Sequence, residues 1–198
     1  MKTILLTLTC LITICATAQK DVQKKYFVFD AGMTYTSAFN FANKKDMIPK
    51  VGYTSNIMME HQFNSGKLFR IGLGTSLNGF ALDTRFRNVL HTYNLNLPIQ
   101  FGRKYTSNNR FYFGIIPSFC FKTSYSEELI SIVPRNFDVK IQLSYAVEFN
   151  KYVGIDFSAQ VGVVNMGIYK NGQVSNWSLI AKFYVRKMTR RSVSFIAQ

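Results

Sequence analysis

Cysteine is almost missing from this sequence: there are three in 198 residues, and Cys10 and Cys15 fall inside the first eighteen positions. If that segment is removed, Cys120 stands alone, and one thiol builds neither an internal disulfide nor a cysteine metal site. Histidine is as scarce, with only His61 and His91, and no motif places either beside Cys120 as the base a catalytic thiol needs. Cys120 therefore reads as filler in a strand. No P-loop, dinucleotide fingerprint or metal-ligand spacing occurs, so no cofactor and no metal is expected. Helical periodicity, low-complexity linkers and composition shifts are missing as well. Acidic residues are few, ten against 24 Lys and Arg, which gives a formal net charge of +14.

What is present begins with MKTILLTLTCLITICATAQ, Met1 to Gln19: one Lys, an apolar run from Ile4 to Cys15, then Ala16-Thr17-Ala18. The last three residues have the small-x-small pattern at which a signal peptide is cut. A signal peptide is therefore expected over 1–18, with about 180 residues left for one domain. A retained anchor is the alternative, but the apolar run falls well short of the roughly 20 residues that a spanning helix needs.

The basic excess raises nucleic acid as a partner, yet binders of nucleic acid gather Lys and Arg on one face or one helix. Here they sit mostly between apolar segments, as Lys44, Lys45, Lys50, Arg85, Arg87, Arg103, Lys104 and Arg110, with a last cluster at Arg186, Lys187, Arg190 and Arg191. No nucleic-acid partner is expected. For an exported chain, anionic lipid headgroups or lipopolysaccharide phosphates fit these charges, with Lys44, Lys45, Lys50, Arg85 and Arg87 as contacts. A solvated rim that aids solubility is the other reading.

HTYNLNLPIQFGRKY, His91 to Tyr105, shows the pattern of the whole chain. Tyr93, Leu95, Leu97, Ile99 and Phe101 fall on one face of an extended strand, and Asn94, Asn96, Gln100 and Gly102 on the other. Eight such segments occur: Tyr26 to Phe39, Lys50 to Gln62, Leu68 to Phe80, His91 to Tyr105, Arg110 to Thr123, Asn136 to Asn150, Tyr152 to Val164, and Asn176 to Arg186. Each reaches the 9 to 11 residues or so that a tilted strand needs to cross a bilayer. Hairpin-length gaps, Phe63 to Lys67, Thr106 to Asn109 and Asn150-Lys151, alternate with longer ones at Asn40 to Pro49, Ala81 to Leu90, Ser124 to Arg135 and Asn165 to Ser175. Short turns at one end and long loops at the other describe an all-β, eight-stranded, antiparallel up-and-down transmembrane β-barrel with periplasmic turns and extracellular loops. Residues 19–186 form it, and a basic tail over 187–198 follows.

A soluble barrel of this size would turn the apolar face inward, where up to seven large side chains per strand do not fit a lumen only wide enough for packed side chains. The expected arrangement is therefore apolar outside and polar inside. The charges on that inner face, Asp30, Glu60, Arg70, Lys122, Lys140, Glu148, Asp156 and Lys182, must pair with one another or with lumen water, which predicts a network that plugs the barrel. Glu148 and Asp156 read as members of that network, with a carboxylate acid/base site as the weaker alternative. Aromatics near strand ends, among them Tyr26, Phe27, Phe29, Tyr93, Phe121, Trp177, Phe183 and Tyr184, are expected to form interfacial girdles. Pro98 and Pro117 sit inside strands paired on both sides, and counting back from the Thr106 to Asn109 turn brings them almost opposite each other, so one local bulge or kink is expected there.

The same hairpin carries a resemblance. YNLNLPIQFGRKY followed by RFYFGIIPSF resembles the L-x-[IL]-P hairpin of the outer-membrane β-barrel domain family that includes PorT-type proteins. Gly52 to Phe80 and Leu143 to Gly167 are similar to its other hairpins. The resemblance implies an eight-stranded outer-membrane barrel and, for PorT-type members, a part in protein export through the type nine secretion system. The chain departs from the pattern at its end, where Lys187 to Gln198 continues past the aromatic residues Phe183 and Tyr184 at which such barrels commonly stop.

The resulting expectation is a small, non-enzymatic, monomeric barrel in the outer membrane of a diderm bacterium, exported by a cleaved signal peptide. Its partners are outer-membrane lipid, lipopolysaccharide and other envelope proteins, and its role is structural, surface-binding or export-accessory. Two alternatives stay open. One is a periplasmic soluble β-barrel for an apolar ligand; the other is an outer-membrane lipid-modifying enzyme built on His61 or His91, which this topology puts at opposite ends.

Overall fold

Alternating side chains make a strand two-faced, and a two-faced strand must pair along both edges to satisfy its backbone. In the computed structural model, which describes residues 22–40, 45–46, 48–81, 89–125, 133–134, 136–163, 167–169 and 172–189, this happens by closure. Twelve strands are described: β1 (Val22–Asn40), β2 (Lys45–Asp46), β3 (Ile48–Phe63), β4 (Lys67–Ala81), β5 (Val89–Asn96), β6 (Ile99–Lys104), β7 (Asn109–Tyr125), β8 (Val133–Pro134), β9 (Phe137–Glu148), β10 (Val153–Gly162), β11 (Gly167–Tyr169) and β12 (Gly172–Met188). β5 and β6 are two halves of one span. The ring runs β1, β3, β4, β5 with β6, β7, β9, β10 and β12, and antiparallel pairing of β1 with β12, from Tyr26 opposite Met188 to Asn40 opposite Val174, closes it. The fold is an eight-stranded antiparallel transmembrane β-barrel.

The short turns use the residues that turns demand. Gly66 takes a positive φ of 75° between β3 and β4, and its N–H donates to the Phe63 carbonyl at 3.1 Å. Between β6 and β7 the Thr106 hydroxyl oxygen accepts from the backbone N–H of Asn109 at 3.0 Å, and between β9 and β10 the Asn150 side-chain oxygen accepts from Tyr152 and Val153 at 2.8 and 3.0 Å. At the other end the sheet reaches further than the expected segments. β12 begins at Gly172, and β2, β8 and β11 continue the ladder through parts of the stretches expected as loops. β12 also runs to Met188, two residues past the expected end of the barrel at Arg186, and the Thr189 N–H beyond it donates to the Lys25 carbonyl at 2.9 Å.

The proline pair differs from expectation. Leu97 faces Pro117, and the ladder passes through both prolines without a register shift: Asn96 pairs with Ser118 before the break and Ile99 with Ile115 after it. Each proline loses only its own donor. The Leu97 N–H donates to the Pro117 carbonyl at 2.8 Å, and the Gly72 N–H to the Pro98 carbonyl at 3.1 Å. The bulge lies closer to the loop end, between Tyr93 and Asn94, where the register against β7 shifts by one residue.

The faces are those of a membrane barrel. Leu95, Ile141 and Leu143 are exposed by 48%, 41% and 48%, whereas Asn96, Gln142 and Ser144 on the alternate face are buried. An apolar-lined interior, which the soluble alternative requires, is the reverse of this arrangement.

Candidate functional site

The interior is the place where this sequence concentrates chemistry. Toward the turn end, β3 supplies Glu60, β4 Arg70, β7 Arg110 and Tyr112, β9 Glu148, and β12 Tyr184 and Arg186, all pointing inward because they share their strands' even register. Glu60 is the hub. Its Oε1 accepts from Arg110 Nη1 at 2.6 Å and from Arg186 Nη1 at 3.2 Å, and its Oε2 accepts from Arg70 Nε at 2.6 Å and from the Tyr112 hydroxyl at 2.8 Å. A carboxylate has about four acceptor positions, so this one is saturated. Glu148 takes further donors: Arg110 Nη2 at 3.2 Å, Arg186 Nη2 at 2.7 Å and the Tyr184 hydroxyl at 3.3 Å. Arg70 stacks on the Tyr112 ring at 3.9 Å from its centroid, and Arg186 on Tyr26 at 4.6 Å.

A second layer lies nearer the middle. Lys182 Nζ donates to Asp30 Oδ2 at 3.1 Å and lies 3.9 Å from Asp156 Oδ1, while Asp156 Oδ2 is 3.5 Å from Arg70 Nη1. The Ser158 hydroxyl donates to Asp156 and the Asn56 amide to Asp30, each at 2.5 Å. The chain Arg186, Glu60, Arg70, Asp156, Lys182, Asp30 thus joins strands on all sides of the lumen. Beyond it, Thr34, Asn56, Met58, Asn96, Pro98 and Ile116 help line a narrow cavity in which Lys182 is the one charged lining residue.

Six of the eight charges expected in the lumen, Asp30, Glu60, Arg70, Glu148, Asp156 and Lys182, meet in these ion pairs. Lys140 is buried at the other end near Asp138, whose Oδ2 accepts from the Asn176 amide at 3.2 Å. Lys122 is a correction. It is exposed, beyond the bulge that shifts β7 against β5, and its ammonium sits 5.5 Å from the centre of the Tyr93 ring. Arg110 and Arg186 are the converse: placed among the basic residues outside the lumen by sequence, they are 0% and 3% exposed inside it, toward the turn end. Tyr26 and Tyr184, expected in a girdle, are also inside, because they share a face with Val28 and Lys182. Phe27, Phe29, Phe121, Phe137 and Phe183 do project outward.

Among the expected lipid contacts, Lys44, Arg85 and Arg87 lie outside the described residues, Lys45 is described in its backbone alone, and Lys50 is half-buried near the loop end. The residues of the expected signal peptide also lie outside the description. His61 pairs with Phe69 near the turn end and His91 with Gly79 near the loop end, so the two do not share a site. The Cys120 thiol donates to the Lys122 carbonyl at 3.4 Å.

What this arrangement does chemically is hold charge still. Glu60 is saturated by fixed donors from other strands, and Asp30, Glu148 and Asp156 are each paired with cations from other strands, so the two layers close the cylinder and tie distant strands together.

No protein-family profile matches the chain. No curated protein matches it either. Among solved structures the chain is similar to Neisserial surface protein A, with a TM-score of 0.55 at 14% identity, over 80% of this chain and 96% of that one. Ail, the attachment invasion locus protein of Yersinia pestis, aligns at 10% identity and TM-score 0.44 over 81% of this chain and 98% of its own, and OprG from Pseudomonas aeruginosa at 8% and 0.41 over 84% and 97%. The first of these likenesses is one of fold: a small closed barrel.

Proposed function

We propose that this chain is a small integral outer-membrane barrel that conducts nothing, catalyses nothing, and serves as a rigid anchor for the long segments at one end. The observation that carries this reading is the reversal of faces. Large apolar side chains such as Phe29, Ile57, Leu143 and Phe183 stand exposed around the outside while paired charges fill the inside. Hydrocarbon makes that arrangement favourable, because the strands pair around a closed ring and the outer band offers water little to bind. Buried ion pairs that cross the lumen argue against a pore.

Two experiments test it. The folded protein should stay with the membrane fraction after alkaline extraction and migrate differently on gels before and after heating; release as a soluble protein overturns the reading. In planar bilayers it should give no conductance above background, and reproducible channels would overturn the sealed lumen.

The finer role follows the resemblance of YNLNLPIQFGRKY and RFYFGIIPSF to PorT-type barrels. It supports an accessory part in protein export through the type nine system, with other envelope proteins meeting the long segments and lipopolysaccharide phosphates meeting Lys44, Lys45, Lys50, Arg85 and Arg87. Deletion of the gene should then strand export cargo in the periplasm, and undisturbed secretion removes the export role.

A further inference from the structure

All acidic side chains that the structure describes are in the lumen: Asp30, Glu60, Asp138, Glu148 and Asp156 are exposed by 8% or less. Arg70, Arg110, Lys140, Lys182 and Arg186 share that interior, so its formal charges cancel. The basic excess is therefore carried elsewhere, and at the turn end part of it is arranged rather than scattered. Lys67 opens β4, Arg103 lies near the end of β6, and the two are direct partners across the ladder. Both are exposed on the outer face. Side chains directly opposite on one face have Cβ atoms about 4.5–5.5 Å apart, and like charges so placed repel. No acid among the described side chains lies on that face to relieve them.

The residues beyond this pair follow a definite order. Moving from the turn end toward the middle, the next outward pair is Phe69 with Phe101, whose ring centroids are 5.1 Å apart, and the next is Ile71 with Ile99. Two cations, two aromatic rings and two aliphatic chains in line repeat the sequence of phosphate, glycerol ester and acyl chain in a phospholipid at a bilayer surface.

We propose that Lys67 and Arg103 seat the phosphate of an anionic phospholipid of the inner leaflet, with its chains along Phe69, Phe101, Ile71 and Ile99. The guanidinium fork and the ammonium both donate to non-bridging phosphate oxygens, and the bound anion removes the repulsion between them. This rests on the membrane-barrel reading above. It adds a specific seat for lipid at the turn end, away from the contacts proposed for lipopolysaccharide.

The test uses the full chain folded into dioleoylphosphatidylcholine vesicles that contain a minor share of dioleoylphosphatidylglycerol. The protein is then extracted in mild detergent, and retained lipid is counted by native mass spectrometry. Wild type should retain phosphatidylglycerol in clear preference to phosphatidylcholine. The double variant Lys67→Gln/Arg103→Gln should lose about 25-fold of that preference, since each basic residue at an anionic surface contributes about fivefold. Lys24→Gln/Lys151→Gln, which removes the same charge from the same end, should lose far less. Equal losses in the two double variants, or no preference in wild type, overturn the seat while leaving the barrel in place. If the double variant does not fold, the single variants decide, each with a loss of about fivefold expected and no loss overturning the seat. A chain that enters no vesicle overturns both readings.

Discussion

At the scale of single residues, Glu60 is the position on which most depends. It is fully buried and holds three arginines from three strands as well as a tyrosine. Glu60→Gln keeps the shape but removes the charge, leaving Arg70, Arg110 and Arg186 partly uncompensated where water does not reach. Breaking a buried pair in this way costs about 3–5 kcal/mol. The urea midpoint of the barrel in vesicles, followed by the heat-modifiable gel shift, should fall accordingly; an unchanged midpoint would show that the hub is dispensable. These residues were partly readable beforehand. Arg110 shares its register with Tyr112 and Gly114, so the alternation already put it inside, but its place at a strand end suggested rim. Tyr26 and Tyr184 were misplaced for the same reason, since terminal aromatics suit an interface and their parity with Val28 and Lys182 argued otherwise. Lys122 fails in the opposite way: parity counted along β7 puts it inward, but it stands exposed at the loop end, past the bulge that shifts β7 against β5.

At the scale of the strand, the unshifted ladder through Pro98 allows a test. Gly72 and Pro98 form a pair in which the Gly72 N–H already donates, and the reciprocal bond is missing only because proline has no hydrogen to give. Pro98→Ala should restore it and stabilise the barrel by about 0.5–1.5 kcal/mol, read as a higher urea midpoint. A lower midpoint would mean that the ring is needed for packing against Ile116 in the lumen. On the opposite face, Leu143→Arg at an outward position of β9 should cost about 2–4 kcal/mol in folding into vesicles. The same change at a lipid-free surface would cost little. Strand number, faces and turns were legible because period-two alternation and turn residues are local signals. The proline pair and the Tyr93 bulge were not, since a register depends on both strands at once and neither segment encodes it alone.

At the scale of the whole molecule, charge is sorted into two populations. The lumen pairs are buried and the cations outside are not, so salt acts on them differently. In neutral phosphatidylcholine vesicles, raising salt from roughly 0.1 to 1 M shortens the Debye length from about 10 to 3 Å, and the urea midpoint should hardly move because the interior pairs are little screened. A steep fall would place water among them. Binding of the same protein to anionic surfaces should weaken over that range.

The length of β1 has a further effect. It runs 19 residues, from Val22 to Asn40, and among its described side chains the large apolar ones that project outward lie between Phe27 and Tyr35. At about 3.3 Å per residue and a tilt near 40°, the five residues after Tyr35 add roughly 13 Å of height, about twice the depth of one headgroup layer. The cylinder is taller than the film it crosses, and its surplus forms a collar. Whatever approaches the cell from outside meets this stiff parapet before it meets lipid.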